Sequence, residues 1–304
     1  MYRREFVVED RPVVVPLDLA SRCLFVVGPA RSGTTILMDA LNHARSIYLL
    51  GEPDLHLDPA TPGFAQRFNL SRARGGNQTT KGSYCPDFFD GAGTWADTLA
   101  RLGESHAVVG TKIVTQVSAG SGQIATILRF HTRHFYDSHY LFAFRSPRAI
   151  VDSSYHFQLA LSGAASPVEH VICNFVDTLG LFLTMRRTFP NVRAVFHHDV
   201  TPQSFSAIGA AIGVDLSGSA AYYDDAMIVA HPALALSEAH RDLIAVATEL
   251  FDELVGVAGD DFPRLQMEQN NNVIDPARYT RLGRLVQRAN FVSRALAPAH
   301  DAGN

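Results

Sequence analysis

Cysteine is scarce in this chain. Cys23, Cys85 and Cys173 are widely separated and form no C-x-x-C pair, which excludes a disulfide framework and points to a reducing compartment with three ordinary thiols. Positive charge is not in excess either: 26 Lys and Arg face 30 Asp and Glu, the formal net charge is -4 and the pI is near 6.3. With no overall basic field a general nucleic-acid binder is not expected, and any anion site must be local. Long apolar runs are missing as well. None approaches the roughly 20 residues that span a bilayer. The N-terminal stretch "MYRREFVVEDRPVVVPLDL" is broken by charges and prolines where a signal peptide would carry its apolar core. The expectation is a soluble, cytoplasmic chain with no membrane span. Internal repeats and long low-complexity runs are absent too.

What is present is apolar material for a sizeable core, 47% of 304 residues. Short, nearly continuous apolar runs at 22–28, 46–50, 106–114, 139–145 and 192–198 read as strands covered on both faces. Helix-like segments lie between and after them, at 33–43, about 120–133, 147–161, 167–188, 201–212 and 236–256. This alternation implies one α/β domain over 1–304, a three-layer doubly wound parallel sheet of about five strands. Ligands of such sheets bind outside the carboxyl ends of the strands. Two stretches break the rhythm. Residues 57–105, with "DPATPG", "SRARGGNQ" and "DGAGTW", read as an insertion of loops and short helices near the site mouth, and residues 264–304, with "EQNNNVIDPARY", as an irregular C-terminal tail.

After the first strand comes "FVVGPARSGTTIL", a phosphate-binding loop with a piece missing. In the pattern G-x-x-x-x-G-K-[ST], Gly28, Gly33 and Thr35 fit, but Thr34 stands where the lysine should be. The two glycines let the backbone turn tightly and aim N–H groups at an anion in front of a helix N-terminus. Ser32, Thr34 and Thr35 supply hydroxyls, and Arg31 adds a permanently charged fork of donors suited to a tetrahedral anion. A second constellation is "FRSPRAIVDSSYHF". Arg145 ends a strand, Pro147 suits the first turn of a helix, and Ser153 lies two turns in, where serine and guanidinium can clamp a second phosphate. Taken singly, Arg145 reads as a surface or capping residue and Ser153 as an ordinary helix serine.

Taken together, the two stretches resemble the sulfotransferase family, whose donor is 3′-phosphoadenosine 5′-phosphosulfate (PAPS) and whose product is 3′-phosphoadenosine 5′-phosphate (PAP). The family's 5′-phosphosulfate loop, "PRSGTT", is matched by "PARSGTT" with one extra alanine; its 3′-phosphate motif, R-x-P-x-x-x-x-x-S followed by "YYHF", by Arg145, Pro147, Ser153 and "SYHF". The resemblance implies a P-loop-like fold and explains the missing lysine, since no metal-bridged triphosphate is held. The catalytic layout is similar to that of the tyrosylprotein sulfotransferases, in which a "GEE" glutamate is the base; Glu52, twenty-one positions after Arg31, keeps that interval. Lys112 in "VGTKIV" matches a family lysine that helps hold the transferring group. The tail departs from the family, with Gln269 or Asn270 in place of a serine that contacts the sulfated centre. The resemblance covers mainly 22–56 and 106–160, about a third of the chain.

The expected function is transfer of the sulfuryl group from PAPS to an acceptor hydroxyl, with Glu52 as base and Arg31 and Lys112 stabilising the transferring group and the leaving phosphate. A carboxylate partly enclosed after an apolar strand suits a base near neutral pH. His56 is the alternative base, and Glu52 alone also reads as a solvated carboxylate before Pro53. Arg278, Arg281 and Arg284 form a basic run that either folds over the 3′-phosphate or is a solvated helix face. The histidines, "FHHD" at 196–199 and His131, His134 and His139, offer no third ligand at metal spacing, so no metal is assigned. The acceptor is expected to be a small molecule in preference to a peptide tyrosine, and self-association as a homodimer is compatible with the sequence. The rival functions are a P-loop kinase or NTPase and a catalytically silent nucleotide-binding protein.

Overall fold

Every residue of the first strand, β1 (Cys23–Pro29), is buried. That is the consequence of placing an unbroken apolar run in the middle of a sheet covered on both sides. The structure, a computed structural model, describes residues 15–53, 55, 94–115, 121–223, 231–257 and 276–296. Five parallel strands, β1, β2 (Ile47–Leu50), β3 (Val108–Thr115), β4 (His139–Phe144) and β5 (Asn191–Phe196), lie in the order β2-β3-β1-β4-β5. The strand ladders pair Val26 with both Lys112 and Leu141, so the loop that follows β1 opens between the carboxyl ends of β3 and β4. The order reverses around β1, and that switch point is where doubly wound sheets hold ligands.

The pleat sorts side chains into two cores. Cys23, Phe25 and Val27 face one, Leu24 and Val26 the other. The thinner layer is α2 (Thr34–Asn42) and α7 (Pro202–Ile212), packing Leu37, Leu41, Phe205 and Ile208 under the sheet. The thicker one contains α1 (Leu17–Ser21), α3 (Trp95–Ser105), α4 (Ser121–His134), α5 (Pro147–Ser162) and α6 (Val168–Thr188), with α8 (Glu238–Val257) and α9 (Pro276–Leu296) packed against α6. α6 is long and apolar enough by composition to cross a membrane, a property that its scattered polar residues hid in the sequence, yet 67% of that window is buried in the core. Cys23, fully buried, has its thiol pushed up to about 12 by desolvation, as befits an inert core side chain.

The insertion, read as loops and short helices, is filled in at its end, and the reading of the tail changes. Residues 95–105, assigned to the insertion, form a regular helix: Thr94 and Asp97 make a reciprocal capping box, and Trp95, Leu99 and Leu102 are buried. The tail, read as irregular, contains α9, whose Leu282, Leu285, Ala289 and Val292 face the core. Arg288 of α9 pairs with Glu249 and Glu253 of α8, which fixes the two helices side by side. Residues 57–93, the rest of the insertion, lie outside the described residues.

The core that Phe25 faces, on the thicker side of the sheet, is dominated by rings. Phe182 of α6 meets Phe142 and Phe144 edge-on at 5.3 and 5.6 Å and is fully buried. Phe182→Ala is therefore expected to lower the unfolding free energy by about 3–5 kcal/mol, measured by chemical denaturation. A loss below about 1 kcal/mol would mean that α6 does not seat on the sheet as described.

Candidate functional site

The loop 28–35 is built by crowding as much as by hydrogen bonds. A Cβ on Gly28 would lie 2.6 Å from Ser32 Oγ and 2.7 Å from the Ala143 carbonyl, so only glycine lets the chain pass there. Its carbonyl accepts from Thr115 Oγ1 at 3.3 Å. Thr115 in turn touches Thr178 at 2.6 Å, and Asn174 donates to the Thr115 carbonyl at 2.8 Å. A buried polar network thus ties the loop's first residue to the end of β3 and to α6. Gly33, at φ +94, is the N-cap of α2, and a Cβ there would come within 2.9 Å of His197 Nδ1. His197 follows β5 and hydrogen-bonds Tyr223.

Arg31 is the one non-glycine residue with positive φ among those described, at 68°. Its conformation costs of order 1–3 kcal/mol unless the surroundings hold it. They do. Nε donates to Ser153 Oγ at 3.1 Å, and the guanidinium lies 4.5 Å from the centre of the Phe157 ring, both on α5. The two sequence motifs, 122 positions apart, meet at that bond. Burial, and then the charge of Arg145, hold the Arg31 guanidinium below its usual range. Arg145 is also lowered by burial, against the pull of Tyr223 and Asp152. Two cations are thus kept within reach of each other's charge, and in the loop residue next to Arg31 the Ser32 Oγ is buried with no hydrogen-bond partner.

Lys112 supplies the third cation. It is only 6% exposed, on β3, and its ammonium donates to Thr35 Oγ1 at 2.8 Å and pairs with Glu52 at 2.7 Å. The neighbouring strand therefore delivers to the helix N-terminus the positive charge that Thr34, itself buried, does not carry. The Glu52 side chain is 41% exposed, so the partial enclosure that the sequence suggested is replaced by an ion pair on a solvent-accessible carboxylate.

The structure thus brings together Gly28, Arg31, Ser32, Gly33, Thr34, Thr35, Glu52, Lys112, Arg145 and Ser153. His56 lies outside the described residues, as does the side chain of Arg278. The next turn of α9 places Arg281 against Gly256, near the end of α8. Sequence reasoning put the segments around 155–165 and 222–232 at the acceptor side, which takes in Phe157 and Tyr223, but weighed His197 only within the "FHHD" metal candidate and missed its approach to the loop. The one signal for His197 was its place at the carboxyl end of a strand, where doubly wound sheets gather their ligands. His131, weighed as a metal ligand, is buried and donates through Nδ1 to the Tyr140 hydroxyl at 3.0 Å, since that hydroxyl spends its own proton on the Phe135 carbonyl.

Gly33 gives a test of the crowding. Gly163, at φ +73 with nothing within 4 Å of an added Cβ, carries backbone strain alone, so Gly163→Ala is expected to cost about 1–2 kcal/mol. Gly33→Ala adds the clash with His197 and should lower stability further in urea denaturation. Equal losses would show that His197 does not press on the loop.

No protein-family model and no curated protein matches the chain. Among solved structures it is similar to the "Sulfotransferase Domain from the Curacin Biosynthetic Pathway", at 15% identity and a TM-score of 0.45 over 71% of this chain and 81% of that one. It is also similar to the "Sulfotransferase Domain from the Synechococcus PCC 7002 Olefin Synthase", at 16% identity and a TM-score of 0.46 over 95% and 98%. At that level of likeness the chemistry has to be read from this chain's own residues.

Proposed function

We propose that the chain is a sulfotransferase that moves the sulfuryl group of PAPS to the hydroxyl of a small-molecule acceptor. The observation that carries this reading is the 3.1 Å bond from Arg31 to Ser153, which joins the loop to the Arg145–Ser153 motif in one cationic space. A donor with phosphate at both ends of its ribose fits that pair, and the buried, unpartnered Ser32 hydroxyl is a free donor for it. The strands flanking β1 end at Thr115 and just before Arg145, whereas a magnesium-dependent NTPase would place a carboxylate there.

The donor supplies a sulfuryl group on a good leaving phosphate. Glu52 takes the acceptor's hydroxyl proton as the new oxygen–sulfur bond forms and the bond to the 5′-phosphate breaks. Lys112 and Arg31 stabilise the charge that builds on the nonbridging and departing oxygens, and Arg145 with Ser153 holds the 3′-phosphate. Phe157 and Leu161, one turn apart on the same face of α5 and exposed by 42 and 70%, offer the acceptor an apolar surface beyond Arg31.

Calorimetric titration of PAP into the native protein in metal-free buffer, with ATP as competitor, tests the reading. Binding that ATP does not displace is expected, weakened by Arg145→Ala by roughly ten- to a hundredfold, the value of one or two charge-assisted contacts. Binding of ATP alone, and only with magnesium, would replace it with the kinase reading. Glu52→Gln should keep PAP affinity and slow sulfuryl transfer by about 10²–10⁴-fold; full activity in that variant would remove Glu52 as the base.

A further inference from the structure

Beside the cationic space runs a strap, residues 231–237, that belongs to none of the motifs. It is pinned to α5 at three points. His156 Nε2 donates to the Pro232 carbonyl at 3.2 Å, Leu234 N donates to Asp152 Oδ1 at 3.3 Å, and Arg148 donates to the Leu234 carbonyl at 3.0 Å while pairing with Asp152. So fixed, the strap lays the His231 ring over His156, centroids 4.9 Å apart and planes within 17°. The His156 bond to a carbonyl requires its proton on Nε2, which leaves Nδ1 as the basic nitrogen of that ring. A positive charge on the His231 ring is therefore felt directly by its stacking partner.

We propose that His231, stacked on His156 one turn along α5 from the Ser153 that holds Arg31, is a protonatable member of the anion clamp that gains its charge when a phosphate ester is bound. This deepens, and rests on, the reading of that space as a donor nucleotide site. The charges around the ring support it. Burial, then His156, Arg31 and Arg145, hold His231 below the usual imidazole value, and Asp152 on α5 pulls the other way. Arg148, paired with Asp152, and Tyr155, edge-on to His156, complete the polar surroundings on that helix. A phosphate dianion between the two guanidiniums cancels their repulsion and adds an attraction of its own, so the His231 ring's affinity for a proton rises on binding. The sign follows by linkage. A group whose proton affinity rises on binding takes up protons as the complex forms, and affinity for the anion grows as pH falls through the imidazole range.

The test is calorimetric titration of PAP in two buffers of different ionisation enthalpy, at pH 6.5, into the native protein and His231→Gln. Phosphate groups themselves titrate near pH 6, so the readout is the difference between the two proteins. The native protein is expected to take up a larger fraction of a proton. Its affinity relative to the variant should rise by about three- to tenfold between pH 8 and pH 6, the range of a shift of up to one pKa unit. At pH 8 the two should bind alike. His231→Lys, with a fixed charge, is expected to bind at pH 8 as tightly as the native protein does at pH 6. Equal proton uptake with parallel pH profiles would overturn the role of His231 and leave the donor site standing. Absence of PAP binding in both proteins would overturn both.

Discussion

A buried ammonium has to be paired, because desolvating a lone charge costs far more than folding can supply. Lys112 meets that demand with two partners from different elements, the Thr35 hydroxyl at the start of α2 and the Glu52 carboxylate just after β2. The pairing therefore fixes the relative positions of β3, the loop and the end of β2. Each element has its own apolar reason to be where it is, and this cation draws their polar ends together. Without it, the loop would present hydroxyls and backbone N–H groups to an anion but no charge of its own apart from Arg31.

Arg31 shows the complementary constraint. Its left-handed backbone is unfavourable for a residue with a side chain, and it persists because Ser153 and Phe157 hold the guanidinium from the far side of the space. The loop and α5 thus stabilise each other's working geometry. The Thr115, Thr178 and Asn174 network does the same from behind, giving the Gly28 carbonyl a partner in the core. Lys112 on a strand and Ser153 and Phe157 on a helix hold the site from two sides.

The strand rhythm was legible because strands buried on both faces leave short unbroken apolar runs, and all five appear within two residues or so of where the sequence put them. Helix α3 was hidden by the glycine-rich stretch before it, although Thr94 and Asp97 carried the capping signal. Helix α9 was hidden because its apolar residues are spaced among many arginines, so the stripe that faces the core shows only once the helix is built. In the site, the loop and the Arg145–Ser153 motif are local patterns and could be read. The approach of His197 to Gly33, the Arg31–Phe157 contact and the stacking of His231 on His156 are long-range meetings with no local signature.

The shared hold of Glu52 and Lys112 has a further consequence for timing. While the carboxylate is ionised, it draws the field of the ammonium toward itself and away from the loop. Under the proposed chemistry, the proton that Glu52 accepts also ends that claim. The ammonium is then left facing the helix N-terminus at the stage when negative charge accumulates on the departing oxygen. One proton movement would thus activate the acceptor and unmask the electrophilic cation together, so that nucleophile and leaving group are served in step by a single side-chain contact.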